Sequence, residues 1–139
     1  ARHMLYSINR YEHKDQIERW LGDLKIVIIN RYCESNIAYG VASGLSMEWL
    51  GQIESRMPQS NYIFFLKATS ELSKRRKSSR DKFETDYDYL TRVSKVYEAL
   101  AESPHWFSMD ADRTIDSIHY EIAKLTESLL KEDLITSAQ

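Results

Sequence analysis

The chain is poor in the residues that staple or break a polypeptide. Its single cysteine, Cys33, excludes an internal disulfide framework and fits a reducing compartment. Four glycines and two prolines are few for a whole α/β domain, whose strand-to-helix turns consume glycine. No apolar run approaches the roughly 20 residues needed to cross a bilayer, and no basic, apolar and small-residue leader opens the chain. The expected setting is therefore the cytoplasm. Neither sign of charge dominates: a net charge of −2 gives no global reason to expect nucleic acid or a membrane, so any basic site must be local. His3, His13, His105 and His119 are dispersed without metal-ligand spacing. There is no internal repeat and no low-complexity segment, and 139 residues bound the chain to one domain, 1–139.

The strongest positive feature is Lys25 to Tyr39. Ile26, Val27, Ile28 and Ile29 form an unbroken β-branched apolar run, which predicts a strand in the middle of a parallel sheet. Polarity changes at Asn30 and Arg31, where open α/β sheets bind their ligands. Asn30 is a tentative magnesium contact, since phosphate-transferring α/β proteins place such a contact at a strand end. The bland alternative is a buried strand followed by an ordinary loop.

Before this strand, Leu5, Ile8, Tyr11, Ile17 and Trp20 recur at helical spacing and predict one helix ended by Gly22. Helices are predicted over Ser35–Ser43 and Ser46–Arg56, a second strand over Tyr62–Leu66, and further helices over Ser70–Lys77, Thr85–Ala101 and Thr114–Leu130. A third strand is expected over Trp106–Met109, and Thr136–Gln139 is expected to fray. Strands alternating with helices give an α/β fold, three layers around a parallel sheet. The opening residues already look helical, with no strand before them, so we expect the C-terminal portion of a longer domain, its N-terminal strand or strands absent.

Four groups of residues could carry chemistry. Tyr6 and Arg10, four apart on one helix face, can address one flat ligand by stacking and hydrogen bonding; a half-buried tyrosine and a surface ion pair are the plainer alternative. Asn9 and Glu12 lie on the same helix. Arg31 could fork onto a phosphate at the start of the next helix, where Ser35, Asn36 and Tyr39 follow; Ser35 reads equally as a simple cap and Asn36 as a turn residue. The run Lys74 to Lys82, with Arg76 and Arg80, concentrates cations as a nucleic-acid patch, a solvated helix end or a lid over polyphosphate. Asp81 and Glu84 could approach a metal or simply pair with lid cations. Cys33 beside Arg31 could have a lowered pKa, but no general base accompanies it.

In order and spacing these groups resemble the thymidylate kinase family over essentially the whole chain. Leu5-Tyr-Ser-Ile-Asn-Arg-Tyr-Glu-His13 resembles the family's Leu-Phe-Ser-Ala-Asn-Arg-x-Glu helix, and Asn30-Arg-Tyr with Ser35-Asn-Ile-Ala-Tyr39 resembles its Asp-Arg-Tyr…Ser-Asn-x-Ala-Tyr segment. Leu66 with Ser70 to Arg76, Arg80-Asp-Lys-Phe-Glu84 and Met109-Asp-Ala-Asp112 resemble the lid and last-strand motifs. The resemblance implies a P-loop kinase fold and transfer of the γ-phosphoryl of ATP to dTMP with Mg2+, most family members being homodimers. It implies that Tyr6 stacks on thymine, Arg10 contacts the base, Arg31 the monophosphate, Asn36 the base and Tyr39 the 2′ side of the sugar. Ser35 joins this substrate set. Arg76, Arg80 and Lys82 fall in a lid segment, 74–84, over the ATP phosphates, and Arg31, Arg76 and Arg80 are the implied catalytic cations.

The sequence departs from the family in four places. No glycine-rich phosphate loop with its lysine is present, Asn30 replaces Asp, Gly40 replaces a frequent Gln, and Lys67 replaces Asp. The chain alone is accordingly expected not to turn over. Two other readings remain: a deoxynucleoside monophosphate kinase of different base preference, and a non-catalytic nucleotide or nucleic-acid binder using the 74–82 patch.

Overall fold

The computed structural model describes residues 1–68 and 87–137. The predicted helix Ser70–Lys77 and the cations Arg76, Arg80 and Lys82 lie outside these residues, as do Asp81 and Glu84. In chain order the elements are α1 (Arg2–Glu12), α2 (Lys14–Gly22), α3 (Cys33–Ala42), α4 (Met47–Glu54), β1 (Ile63–Lys67), α5 (Tyr87–Leu100), β2 (Trp106–Asp110) and α6 (Ile115–Ser137). They fall into two compact units, α1 to α4 with α5 in one and β1, β2 and α6 in the other. No described helix is long and apolar enough to cross a membrane.

The first helix predicted from the sequence is two. At His13 the backbone N–H bonds Arg10 O, three residues back, while the ring Nδ1–H takes Asn9 O at 2.9 Å, the carbonyl that an unbroken helix would offer to that N–H. α2 ends at Gly22 as expected, but that glycine is not its left-handed cap. Leu24, at φ 59°, takes the left-handed position, with Leu24 N–H bonding Leu21 O and Lys25 N–H bonding Trp20 O, the two bonds of a Schellman cap. The same pair closes α3, where Gly44 at φ 87° occupies that position without a Cβ penalty.

Helix α1 also faces opposite to its hydrophobic pattern. Leu5 and Ile8 are exposed, whereas His3 and Ser7 are buried. Ile17 of α2 packs with Cys33 and Met57, flanked by Tyr11 and Tyr32. Ala38 and Ala42 bring α3 against Val93 of α5, bordered by Tyr39, Tyr89, Val96, Tyr97 and Leu100. Gly40 lets α4 approach: a Cβ there would lie 2.6 Å from Cδ1 of the fully buried Leu50. Ser46 caps α4, its hydroxyl accepting from Trp49 N–H.

Lys25 to Ile29 is not a strand among the described residues. Ile26, Ile28 and Ile29 are exposed, and a strand exists only where a neighbour takes its backbone groups. In the second unit β1 and β2 pair in parallel from Ile63 with Trp106 to Lys67 with Asp110. Phe64 lies against Phe107 with the rings tilted by 35° and Phe65 meets Trp106 edge-on, while Met109, Ala111 and Ile118 are buried. α6 runs on to Ser137, past the expected fraying point.

Leu24 is 94% exposed, so its side chain packs on little while its backbone bears the left-handed conformation. Leu24→Gly should therefore stabilise the chain by about 1 kcal/mol, read from the urea midpoint at unchanged m-value.

Candidate functional site

Within the first unit, α3 carries members of two groups of predicted site residues. The first centres on Glu54, at the end of α4 and only 3% exposed. Its Oε2 accepts from Arg10 Nε at 3.1 Å, and its Oε1 accepts from Arg10 Nη2, from Ser7 Oγ at 2.7 Å and from Asn36 Nδ2 at 2.7 Å. Asn36 donates further to Ser7 Oγ and His3 O, and its Oδ1 accepts from His3 Nδ1 at 2.8 Å. Because that amide oxygen can only accept, His3 Nδ1 is the donor of this bond. Nε2 of His3 and the hydroxyl of Tyr32 are buried without a partner among the described residues.

The chemistry of this group follows from burial. A carboxylate taken out of water costs several kcal/mol unless donors replace its hydration. Burial would raise the Glu54 pKa, but the hydrogen bonds from Arg10, Ser7 and Asn36 outweigh it and hold the carboxyl below its ordinary value. Cys33 lies beside this charge. Burial first, then the Glu54 carboxylate, pushes its thiol up to about 12, opposite to the lowered value its neighbour Arg31 suggested. The thiol stays protonated and unreactive.

The second group gathers around Tyr39. Arg31 sits in the left-handed region at φ 62°, a conformation costing on the order of 1–2 kcal/mol for a non-glycine residue. Its guanidinium carbon lies 5.1 Å from the centre of the Tyr39 ring, and Nη2 donates to the Tyr39 hydroxyl at 3.0 Å. Tyr39 is edge-on to both Tyr89 and Tyr97 of α5. Ser35 does not cap α3, which starts at Cys33 with Tyr32 as its unaided cap; its hydroxyl pairs with Tyr97 OH at 2.6 Å. Burial pushes the Tyr97 phenol up, against the Ser35 hydrogen bond that lowers it.

The structure thus joins Arg10 to Asn36 through Glu54, and Arg31 and Ser35 to the tyrosines of α3 and α5. No hydrogen bond links the two groups among the described residues; α3 carries both. Tyr6 is 53% exposed, its ring standing T-shaped to that of His3. Asn36 is buried with both ends of its amide engaged by protein, whereas a base-facing amide was expected. Asn30 lies at an exposed bend, and no group of three His, Cys, Asp or Glu side chains that could hold a metal occurs among the described residues. A lone neutral amide does not make a magnesium site. Glu54 and Tyr97 escaped the sequence reading. Glu54 had left a signal: it stands four residues after Leu50, on the apolar stripe of α4, where a carboxylate needs buried donors.

The chain has the partial α/β fold of a P-loop kinase: the solved thymidylate kinase of Candida albicans superposes with a TM-score of 0.72 at 23% identity, over 91% of this chain and 65% of that one. The family model for thymidylate kinase matches residues 1–122, and the chain belongs to that family. The thymidylate kinase of Dictyostelium discoideum is 30% identical over 138 residues, 99% of this chain and 62% of the relative. A probable thymidylate kinase of Thermococcus kodakarensis is 31% identical over 96% of the chain and 67% of its own length. The chain thus spans about 62% of the first of these relatives.

Removing the Glu54 carboxylate leaves Arg10, whose side chain is 15% exposed, without its counter-charge. Glu54→Ala should destabilise the chain by about 3–5 kcal/mol. Since the folded pKa of Glu54 lies below the unfolded one, its contribution is complete above the ordinary carboxylate pKa and is lost as pH falls through the depressed value. Urea titrations of the parent and Glu54→Gln across acidic pH should show their stability difference shrinking on acidification.

Proposed function

We propose that this chain forms the acceptor side of a thymidylate kinase, transferring the γ-phosphoryl group of ATP to dTMP to give dTDP. The observation that carries the reading is the pairing of functions on α3. Asn36 and Tyr39, three residues apart and neighbours on the surface of this helix, meet the Arg10 group and Arg31 respectively.

In this reading the exposed Tyr6 ring stacks on the base, and Arg10, four residues on, hydrogen-bonds its edge. Arg31 takes the monophosphate. Its strained backbone supports that role, because such conformations persist where surrounding contacts hold them and concentrate at ligand sites. Tyr39 accepts one Arg31 N–H and so orients the fork, leaving the remaining donors for phosphate oxygens. Its ring crowds the 2′ side of the sugar, and Ser35, tied to Tyr97, steadies the same turn of α3. Asn36 serves the base indirectly, through Glu54 and Arg10.

Transfer of a phosphoryl group asks the protein for positioning and charge stabilisation rather than covalent chemistry. Arg31, Arg76 and Arg80 are the cations proposed for it, with Lys82 in the lid segment. ATP is the donor, and Mg2+ accompanies its phosphates. Asn30 contributes at most one neutral oxygen to that ion. The apolar outer side of α1, with Met4, Leu5 and Ile8 each near half exposed or more, supports a homodimer. A cytoplasmic setting suits the single reduced cysteine.

The test is ATP-dependent conversion of dTMP by the natural polypeptide, compared with dUMP, dCMP and dGMP. dTMP should be the preferred acceptor; equal use of another nucleotide would move the assignment to a kinase of different base preference. Arg31→Ala should lower the rate on the order of a hundredfold or more, and unchanged turnover would remove Arg31 from the mechanism. Oligonucleotide binding that falls steeply with salt and ignores dTMP would instead favour the binder reading.

A further inference from the structure

We propose that Glu54 is the positioning residue that sets base preference at this site, by holding Arg10 so that it can offer only donors to the ligand. The inference rests on the acceptor-site reading above and assigns a role to a residue that contacts no ligand in it.

Glu54 would be an expensive residue to keep for packing alone. It is 3% exposed at the end of an eight-residue helix, where an apolar side chain of similar volume would pack without donors. The donors brought to it come from two other helices: Ser7 and Arg10 from α1, Asn36 from α3. Every one of them donates. Ser7 has one proton, and its 2.7 Å contact to Oε1 is shorter than its 3.1 Å contact to His3 O. The Asn36 amide is oriented by His3 Nδ1 on its oxygen, which turns its NH2 towards the carboxylate. The network therefore has a direction, and its negative end is Glu54.

The contact with Arg10 is a fork. Nε and Nη2 meet the two carboxylate oxygens, which fixes the plane of the guanidinium and its rotation about the side-chain axis. Nη2 also reaches Ser7 Oγ at 3.3 Å. Nη1 has no protein partner among the described residues, so it is the nitrogen left for a ligand. A guanidinium can donate and never accept. Held in one orientation, one helical turn from Tyr6 on α1, it suits a heterocycle carrying a keto oxygen and opposes one carrying an amino group at the same place. The chemical class selected is a 4-keto pyrimidine nucleotide, thymine or uracil, over cytosine. A guanidinium released from Glu54 could turn or withdraw, and the distinction would fade.

Calorimetric titration of the natural polypeptide with dTMP, dUMP and dCMP tests this, using the parent, Glu54→Gln and Glu54→Asp. The parent should prefer dTMP and dUMP to dCMP by about tenfold or more. Glu54→Gln should bring that ratio close to one chiefly by weakening the keto nucleotides, and Glu54→Asp, which keeps the charge, should recover part of it. A role in packing alone would weaken all three nucleotides alike, so an unchanged ratio in Glu54→Gln overturns the proposal. Should Glu54→Gln fail to fold by circular dichroism, Glu54→Asp decides: an intermediate ratio supports the proposal, the parental ratio overturns it. Absence of binding of every nucleotide to the folded parent would fail the acceptor-site reading itself and this inference with it. Binding by the parent with no effect of Glu54 would fail only the inference.

Discussion

A buried carboxylate that must be given donors governs the helical unit. Glu54 draws Ser7 and Arg10 from α1 and Asn36 from α3 onto the end of α4, and these contacts dictate which face of α1 turns inward. The energetic logic is asymmetric. A charge pair of this kind adds little over an apolar replacement, but removing one partner strands the other. Such an arrangement specifies one geometry more than it adds stability, and here the specified geometry is that of Arg10.

The second cation of the site is held by different means. Arg31 has no carboxylate partner among the described residues; it lies over an aromatic ring and donates to that ring's hydroxyl. A guanidinium stacked on tyrosine keeps its positive charge uncompensated and available to an anion, whereas one forked onto glutamate does not. In the proposed function this difference matches two ligand parts, the neutral edge of a base for Arg10 and a phosphate for Arg31. The tyrosines of α5 extend the same economy, since Tyr97 satisfies Ser35 while bracing the Tyr39 ring. Membership of the thymidylate kinase family accounts for the order of these groups along the chain.

Much of the element pattern was legible from periodicity and punctuation. The helix beginning near Ser46, the strands around Phe64 and Phe107, and the last helix appear close to their expected places. The errors share a cause. The apolar run at Ile26 to Ile29 has strand propensity but no described partner for its backbone, and α1 carries an apolar stripe that the structure leaves outside. Propensity and hydrophobic pattern report what a segment could bury, not what it meets. The break at His13 and the left-handed Leu24 depend on single local hydrogen bonds that compete with the helix and leave no mark on periodicity.

The chain's order of residues by itself determined the family, the α/β character and the candidates Tyr6, Arg10, Arg31, Ser35, Asn36 and Tyr39, because motif spacing along a chain is a one-dimensional property. Only the tertiary structure decided how these divide. Asn36 turned inward to a carboxylate 18 positions away, and Ser35 to a tyrosine 62 positions away. The physical reason is that a polar side chain satisfies its hydrogen bonds with whichever donor or acceptor the fold brings within reach. For the residues of this site those partners stand on other helices.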